Sequence, residues 1–293
     1  MKYIPWVIVL ILALSILVSH LSTLGGIRYV ETYQLERHIA VLSGSTSSPW
    51  VYRLLPEEIA WAVGGAGYYP VFGLILTRIL ATLLALGFTI LWWGQLGIDR
   101  KGQIIGLVIL GTGLFWTFFD SDLSSGTFLE VALCSALCLW PMLAIPLSIL
   151  AALNRETSIL IFPGLILLAF GCKRYMTMII SGAVAFILTY LTVRLAIGYR
   201  ETMPYYGRSI GWEMLKGNLL NLDTWLQLIR TFSLAPLLAL LWWKKWPPVL
   251  KRLAVIVPLW VGAVFIGGAV QETRLLLVPF SLVLLPAFLM SVG

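Results

Sequence analysis

From Tyr69 to Trp93 the chain runs for 25 residues with a single charge, Arg78. A helix rising 1.5 Å per residue needs roughly 20 apolar residues to cross a hydrocarbon core. In lipid every backbone N–H and C=O must be bonded within the segment, so a lone stretch of this kind is a helix. The pattern recurs. Breaking the chain at its charged, Gly and Pro clusters gives about ten spans, near 4–24, 69–94, 103–119, 126–140, 142–154, 157–171, 175–197, 226–243, 253–270 and 275–292. Composition agrees: the chain is 60% hydrophobic and 11% charged, where soluble domains hold about 45–50% and 25%. No long polar segment, low-complexity tract or tandem repeat interrupts it. The sequence therefore predicts an all-α fold, a polytopic transmembrane helix bundle forming one domain over residues 1–293. The net charge of +7 does not call for nucleic acid, because basic residues on cytoplasmic loops give the same excess.

The first apolar run, from Ile4 to about Leu24, exceeds the ~7–15 residues of a signal-peptide core and has no A-x-A cleavage site, so it is expected to stay as a helix. Residues 126–154 can form one kinked helix or two short ones divided at Trp140–Pro141. The positive-inside rule decides. With two helices and the N-terminus inside, the cytoplasmic loops hold Lys2, Arg100, Lys101, Lys173, Arg174, Lys244, Lys245, Lys251 and Arg252, and Asp99 is their one acid. One helix would put "KKWPPVLKR" outside. The expected setting is the plasma (inner) membrane with both termini cytoplasmic. The pairs Trp92–Trp93 and Trp242–Trp243 then fall at the inner interface, where indoles favour the headgroup level.

This topology sorts the charges by type. The inner loops are rich in lysine; the outer half carries ten arginines, Lys216 and every acid except Asp99. A guanidinium binds phosphate or carboxylate through a planar fork, whereas an ammonium is a point charge. The inner face reads as topology signalling and the outer face as a site. Arg155–Glu156 and Glu272–Arg274 lie where short or Pro-interrupted helices end on the outer side, and such ends border cavities. Charges at membrane depth are functional by default. The competing reading is that these charges only stop helices and snorkel.

Two outer segments, 25–68 and 198–225, are long. In the first, "IRYVETYQLERHIAVL" has the spacing of a helix lying on the membrane surface. "VYRLLPEEIAW" reads as a re-entry helix with Pro56 at its start. Glu57 and Glu58 in its first turn read as helix caps; Arg53, beside Trp50 and Tyr52, has no such role. In "FFDSDLSSGTFLE", Asp120 and Asp122 either cap the following helix or hold a divalent cation or take a hydroxyl proton. The second segment mixes arginine, tyrosine and tryptophan, which suits a sugar or lipid headgroup and equally an interfacial loop. Cys134, Cys138 and Cys172 have no His or further ligand to complete a metal set and read as small apolar residues.

Several stretches carry a resemblance: "FDSD" at 119–122, "NRETSILIFPGLILL" at 154–168, "QETRLLLVPFSLVLLP" at 271–286 and "GSTSSPWVYRLLPE" at 44–57. With a long outer loop after helix one, they make the chain resemble the GT-C class of integral-membrane glycosyltransferases. The resemblance implies a GT-C-like fold and a polyprenyl-phosphate-linked sugar as donor on the extracytoplasmic face. It implies a carboxylate base, Glu31 first and then Asp120 or Asp122. It also implies a lipid-phosphate site at Arg53, Arg155 and Arg274 with Glu156 and Glu272, and a divalent cation at Asp120 and Asp122. One feature departs from that class, which places an Asp in the first outer loop; here the acids soon after helix one are Glu31 and Glu36. The main alternatives are a transporter or flippase of lipid-linked sugars and a non-catalytic membrane subunit.

Overall fold

The computed structural model describes residues 3–117, 125–202 and 207–292. Fourteen helical segments are named here, in chain order. They are α1 (Ile4–Leu24), α2 (27–42), α3 (Leu54–Val63), α4 (Pro70–Gln95), α5 (Arg100–Leu114), α6 (Ser125–Leu139) and α7 (Ala144–Asn154). After them come α8 (Phe162–Ala169), α9 (Lys173–Ile197), α10 (Trp212–Leu220), α11 (Leu222–Phe232), α12 (Ala235–Leu241), α13 (Pro248–Gly267) and α14 (Thr273–Val292). Among the described residues, α1, α4, α9, α13 and α14 are long and apolar enough to cross a membrane. The number rises to seven if α6 with residues 141–154, and α11 with α12, each count as one span. The chain is thus an all-helical, membrane-embedded protein.

The break expected at Trp140–Pro141 is present, and the chain turns there by 117°. Pro141 lacks the N–H that a continuing helix would need. A second break, at Ser233–Leu234, bends α11 against α12 by 80°. The helix predicted from residue 27 forms as α2, which contains a π-helical turn at Val30–Gln34.

The centre of the bundle is α6. All its described residues but Cys138 are buried, on every side of the helix, as a helix enclosed by others requires. It packs most extensively against α4, and α14 and α7 also lie on it. Two glycines set close approaches. A Cβ on Gly73 would stand 2.1 Å from the Ala60 carbonyl oxygen, so only Gly lets α3 lie this close to α4. A Cβ on Gly113 would meet the Thr231 carbonyl oxygen at the same distance, where α11 crosses α5. Helix α1 is tied into the core by His20. Its Nε2 bonds the Leu114 carbonyl at 2.9 Å, and its Nδ1 lies 2.7 Å from Arg78 Nη2.

The two tryptophan pairs differ. Trp92 and Trp93 are buried; their indole N–H groups donate to the carbonyls of Leu282 and Ser281 at 3.0 and 2.9 Å. Those carbonyls lie in a π-helical turn at Phe280–Leu284. Widening the turn interrupts the i→i−4 ladder and leaves carbonyls for side-chain donors. This pair is buried within the helix core. Trp243 is exposed, and its ring lies tilted by 50° against that of Trp246, with centroids 4.7 Å apart.

Candidate functional site

The site begins at one backbone irregularity. Helix α7 ends at Asn154, and Arg155 is extended (φ −156°, ψ 139°) before a 3₁₀ turn starts at Glu156. Neighbouring side chains on extended backbone point to opposite sides. Arg155 therefore turns into the bundle, where its guanidinium lies 3.6 Å from Glu130 and donates to Thr127 Oγ1 at 2.6 Å. Glu156 turns outward to Arg53 of the first long segment. Arg53 grips it with two bonds, Nη2 to Oε1 at 2.6 Å and Nε to Oε2 at 3.3 Å. Two adjacent charges thus serve two distant partners.

Glu130 is 1% exposed, in the middle of α6. Thr157 and Ser158, just past the irregularity, both donate hydroxyls to its Oε1. A carboxylate at such depth is tolerated only when paired and hydrogen-bonded, and here both conditions hold. Arg53 also stacks on Trp50 at 4.8 Å from the ring centroid, and Arg37 on the same ring at 4.1 Å. The third charge pair is local: Arg274 Nη2 donates to Glu272 Oε2 at 2.8 Å, with both side chains buried.

These elements enclose a cavity of about 250 Å³. Its polar lining includes Trp50, Arg53, Arg155, Glu156 and Glu272; a mostly small-residue wall comes from the end of α13 and the two residues after it, Ala263, Val264, Gly267, Gly268 and Ala269. The two long segments, 25–68 and 198–225, meet beside it. Ser48 N–H donates to the Glu201 carbonyl at 3.1 Å. The Tyr52 hydroxyl donates to the Gly198 carbonyl at 2.8 Å and accepts from Arg200 N–H at 3.2 Å. Arg194 lies over Tyr52 and Tyr190, 4.2 and 4.6 Å from their centroids. Behind the small-residue wall, Asn218 of α10 satisfies the chain reversal. Its amide donates to the Phe265 and Gly268 carbonyls at 2.9 and 2.7 Å, and its oxygen accepts from Val270 N–H at 3.1 Å. In front of α10, the Ser209 hydroxyl and backbone N–H both donate to Glu213 and hold its carboxyl below the usual range.

The expected residues divide as follows. Arg53, Arg155, Glu156 and Glu272 line the cavity together, and Arg274 stands behind Glu272. Glu31 is exposed on α2 and is not part of the cavity lining. Asp120 and Asp122, the expected cation ligands and second-choice bases, lie outside the described residues. Among the described residues no three His, Cys, Asp or Glu side chains are placed to hold a metal ion. Glu57 stands in the first turn of α3 as expected, and its Oε2 also lies 2.8 Å from His38 Nδ1, with both side chains buried; Glu58 is exposed.

Sequence reasoning passed over Glu130, Asn218 and the two histidines. A signal existed for two of these features. Glu130 is the one acid in the apolar run from 125 to 153, and the chain's only histidines, His20 and His38, fall at the arginine-rich end. No protein-family profile, curated protein or solved structure matches this chain.

Proposed function

We propose that the chain is an integral-membrane glycosyltransferase that moves a sugar from a polyprenyl-phosphate donor to an acceptor hydroxyl on the extracytoplasmic face. The observation that carries this reading is convergence. Four of the five residues expected to take a lipid phosphate line one cavity, and the fifth is bonded to one of them. They come from three separated parts of the chain, and anchoring charges have no reason to gather.

The chemistry follows from the residue types. Arg53 and Arg155 meet the negative charge that grows on the departing phosphate, while Glu156 and Glu130 hold their guanidiniums in place before the donor arrives. Donors oriented in advance stabilise developing charge without reorganising at the moment of reaction. The Gly and Ala wall leaves room for the bulk of a sugar. In this reading the short apolar helices complete a ten-span, GT-C-like arrangement with both termini cytoplasmic. A flippase would need a polar route through the other half as well. Lys101, Lys173, Lys244 and Lys245 are exposed there, as loop signals are.

The experiment is transfer by the full chain in lipid nanodiscs, supplied with short-chain polyprenyl-phosphate hexoses and alkyl-glycoside acceptors. Formation of a new glycoside, with polyprenyl phosphate released, supports the reading. Donor binding without either product, combined with donor crossing the bilayer in liposomes, would instead make the chain a transporter.

A further inference from the structure

A second, smaller chamber of about 20 Å³ shares Arg53 and Arg155 with the large cavity. That is room for one hydroxyl group or one water. Its lining includes Gln34, Thr77 and Asn154, from three different helices, and Glu57 from α3. Gln34, Thr77 and Asn154 are each more than nine-tenths buried, and among the described residues Gln34 Nε2, Thr77 Oγ1 and Asn154 Oδ1 have no hydrogen-bond partner. Buried polar atoms are nearly always bonded, so three orphans around one small space point to a ligand oxygen. Asn154 is oriented for this: its Nδ2 donates to the Gly126 carbonyl at 2.8 Å, which leaves Oδ1 as the other end of a fixed amide.

Among the described residues, Glu57 brings the one carboxylate to this chamber. His38 Nδ1 lies 2.8 Å from its Oε2, and the imidazole is 3% exposed. The charged groups facing the same space are Arg37 from α2, Arg53 at the start of α3 and Arg155 after α7. A pair that merely clamped α2 to α3 would not need a polar chamber at its carboxylate, nor orphaned atoms from α4 and α7.

We propose that Glu57 accepts the proton of the acceptor hydroxyl, with His38 as the residue that positions it. The inference rests on the transferase reading. As the acceptor oxygen forms its bond to the anomeric carbon, its proton passes to the Glu57 carboxylate. The bond from that carbon to the phosphate oxygen breaks, and its electron pair leaves on the lipid phosphate at Arg53 and Arg155. One C–O bond forms, one breaks and one proton moves.

The test uses the full chain in nanodiscs with a short-chain polyprenyl-phosphate hexose donor and an alkyl-glycoside acceptor. Glu57→Gln should cut transfer by about 100-fold or more, as losing a general base does, while polyprenyl-phosphate binding stays within about threefold of wild type. Glu58→Gln, the exposed neighbour on α3, should leave transfer unchanged. His38→Gln should move the acid limb of the pH–rate profile, which a clamp would not do. A Glu57→Gln variant that folds and transfers normally overturns the inference and leaves the transferase reading standing. If Glu57→Gln does not fold, the His38→Gln profile decides, and an unmoved acid limb overturns it. Wild-type protein that neither binds nor transfers overturns the transferase reading and the inference with it.

Discussion

The two ends of the bundle solve the same problem, polar groups beside lipid, in opposite ways. At one end Lys101, Lys173, Lys244 and Lys245 are exposed, and the indoles of Trp92, Trp93 and Trp246 spend their N–H groups on helix carbonyls. At the other, Arg53, Arg78, Arg155 and Arg274 are buried, three of them against Glu156, Glu130 and Glu272. Burying a charge is costly unless it is paired and hydrogen-bonded. The lysine end avoids that cost by exposure. The arginine end accepts it around a cavity, and structure alone gives no reason to do so. On the function proposed above, the difference separates a side that signals orientation from a side that holds a ligand.

The largest expected effect is at the deepest pair. Arg155→Ala leaves Glu130 charged and uncompensated in the centre of α6, which should lower stability by roughly 3–5 kcal/mol. Replacing both, Arg155→Met with Glu130→Gln, should recover most of the loss in thermal melts, because no buried charge is then stranded. If the double variant is no better than the single, the pair is not the unit described. Arg53→Ala comes next and acts differently. Its partner Glu156 keeps 31% of its side chain exposed, so water can solvate the carboxylate left behind and melting should change less than for Arg155→Ala. Binding of polyprenyl phosphate should fall roughly tenfold or more, since bonds to charged groups contribute about 1.5–3 kcal/mol. A smaller effect belongs to the other end: Trp93→Phe removes one buried hydrogen bond, about 1 kcal/mol, and Trp243→Phe removes none. Lys244→Ala with Lys245→Ala should leave both melting and ligand binding unchanged; a loss of binding there would erase the contrast between the ends.

Much of the framework was legible because lipid imposes long apolar runs with sharp ends. Ile4–Leu24 is bounded where the sequence bounds it, and Pro141 marks the break in 126–154. Individual site residues were legible as types: arginines near helix ends, without a structural role of their own. Their pairing was not. Arg53 and Glu156 are 103 positions apart, and nothing local specifies that distance. The extended conformation of Arg155, which sends it and Glu156 to different partners, depends on Glu130 waiting inside α6. The π-helical turns at Val30–Gln34 and Phe280–Leu284 likewise have no signal in the sequence, and carbonyls of the second take the indole N–H groups of Trp92 and Trp93. Glu57 looked like a helix cap because its position in the first turn of α3 is a good one for an acid; the imidazole that claims it sits 19 residues earlier.

The most direct test is equilibrium binding of short-chain polyprenyl phosphate to the nanodisc-embedded chain, with Gly267→Leu as the probe. Gly267 lines the cavity, has open space where a Cβ would go and has helical backbone, so leucine there should fill the cavity without touching a charge. The account predicts saturable binding to wild type, lost in Gly267→Leu with its melting temperature unchanged. Equal binding by both proteins, or none by either, would contradict it.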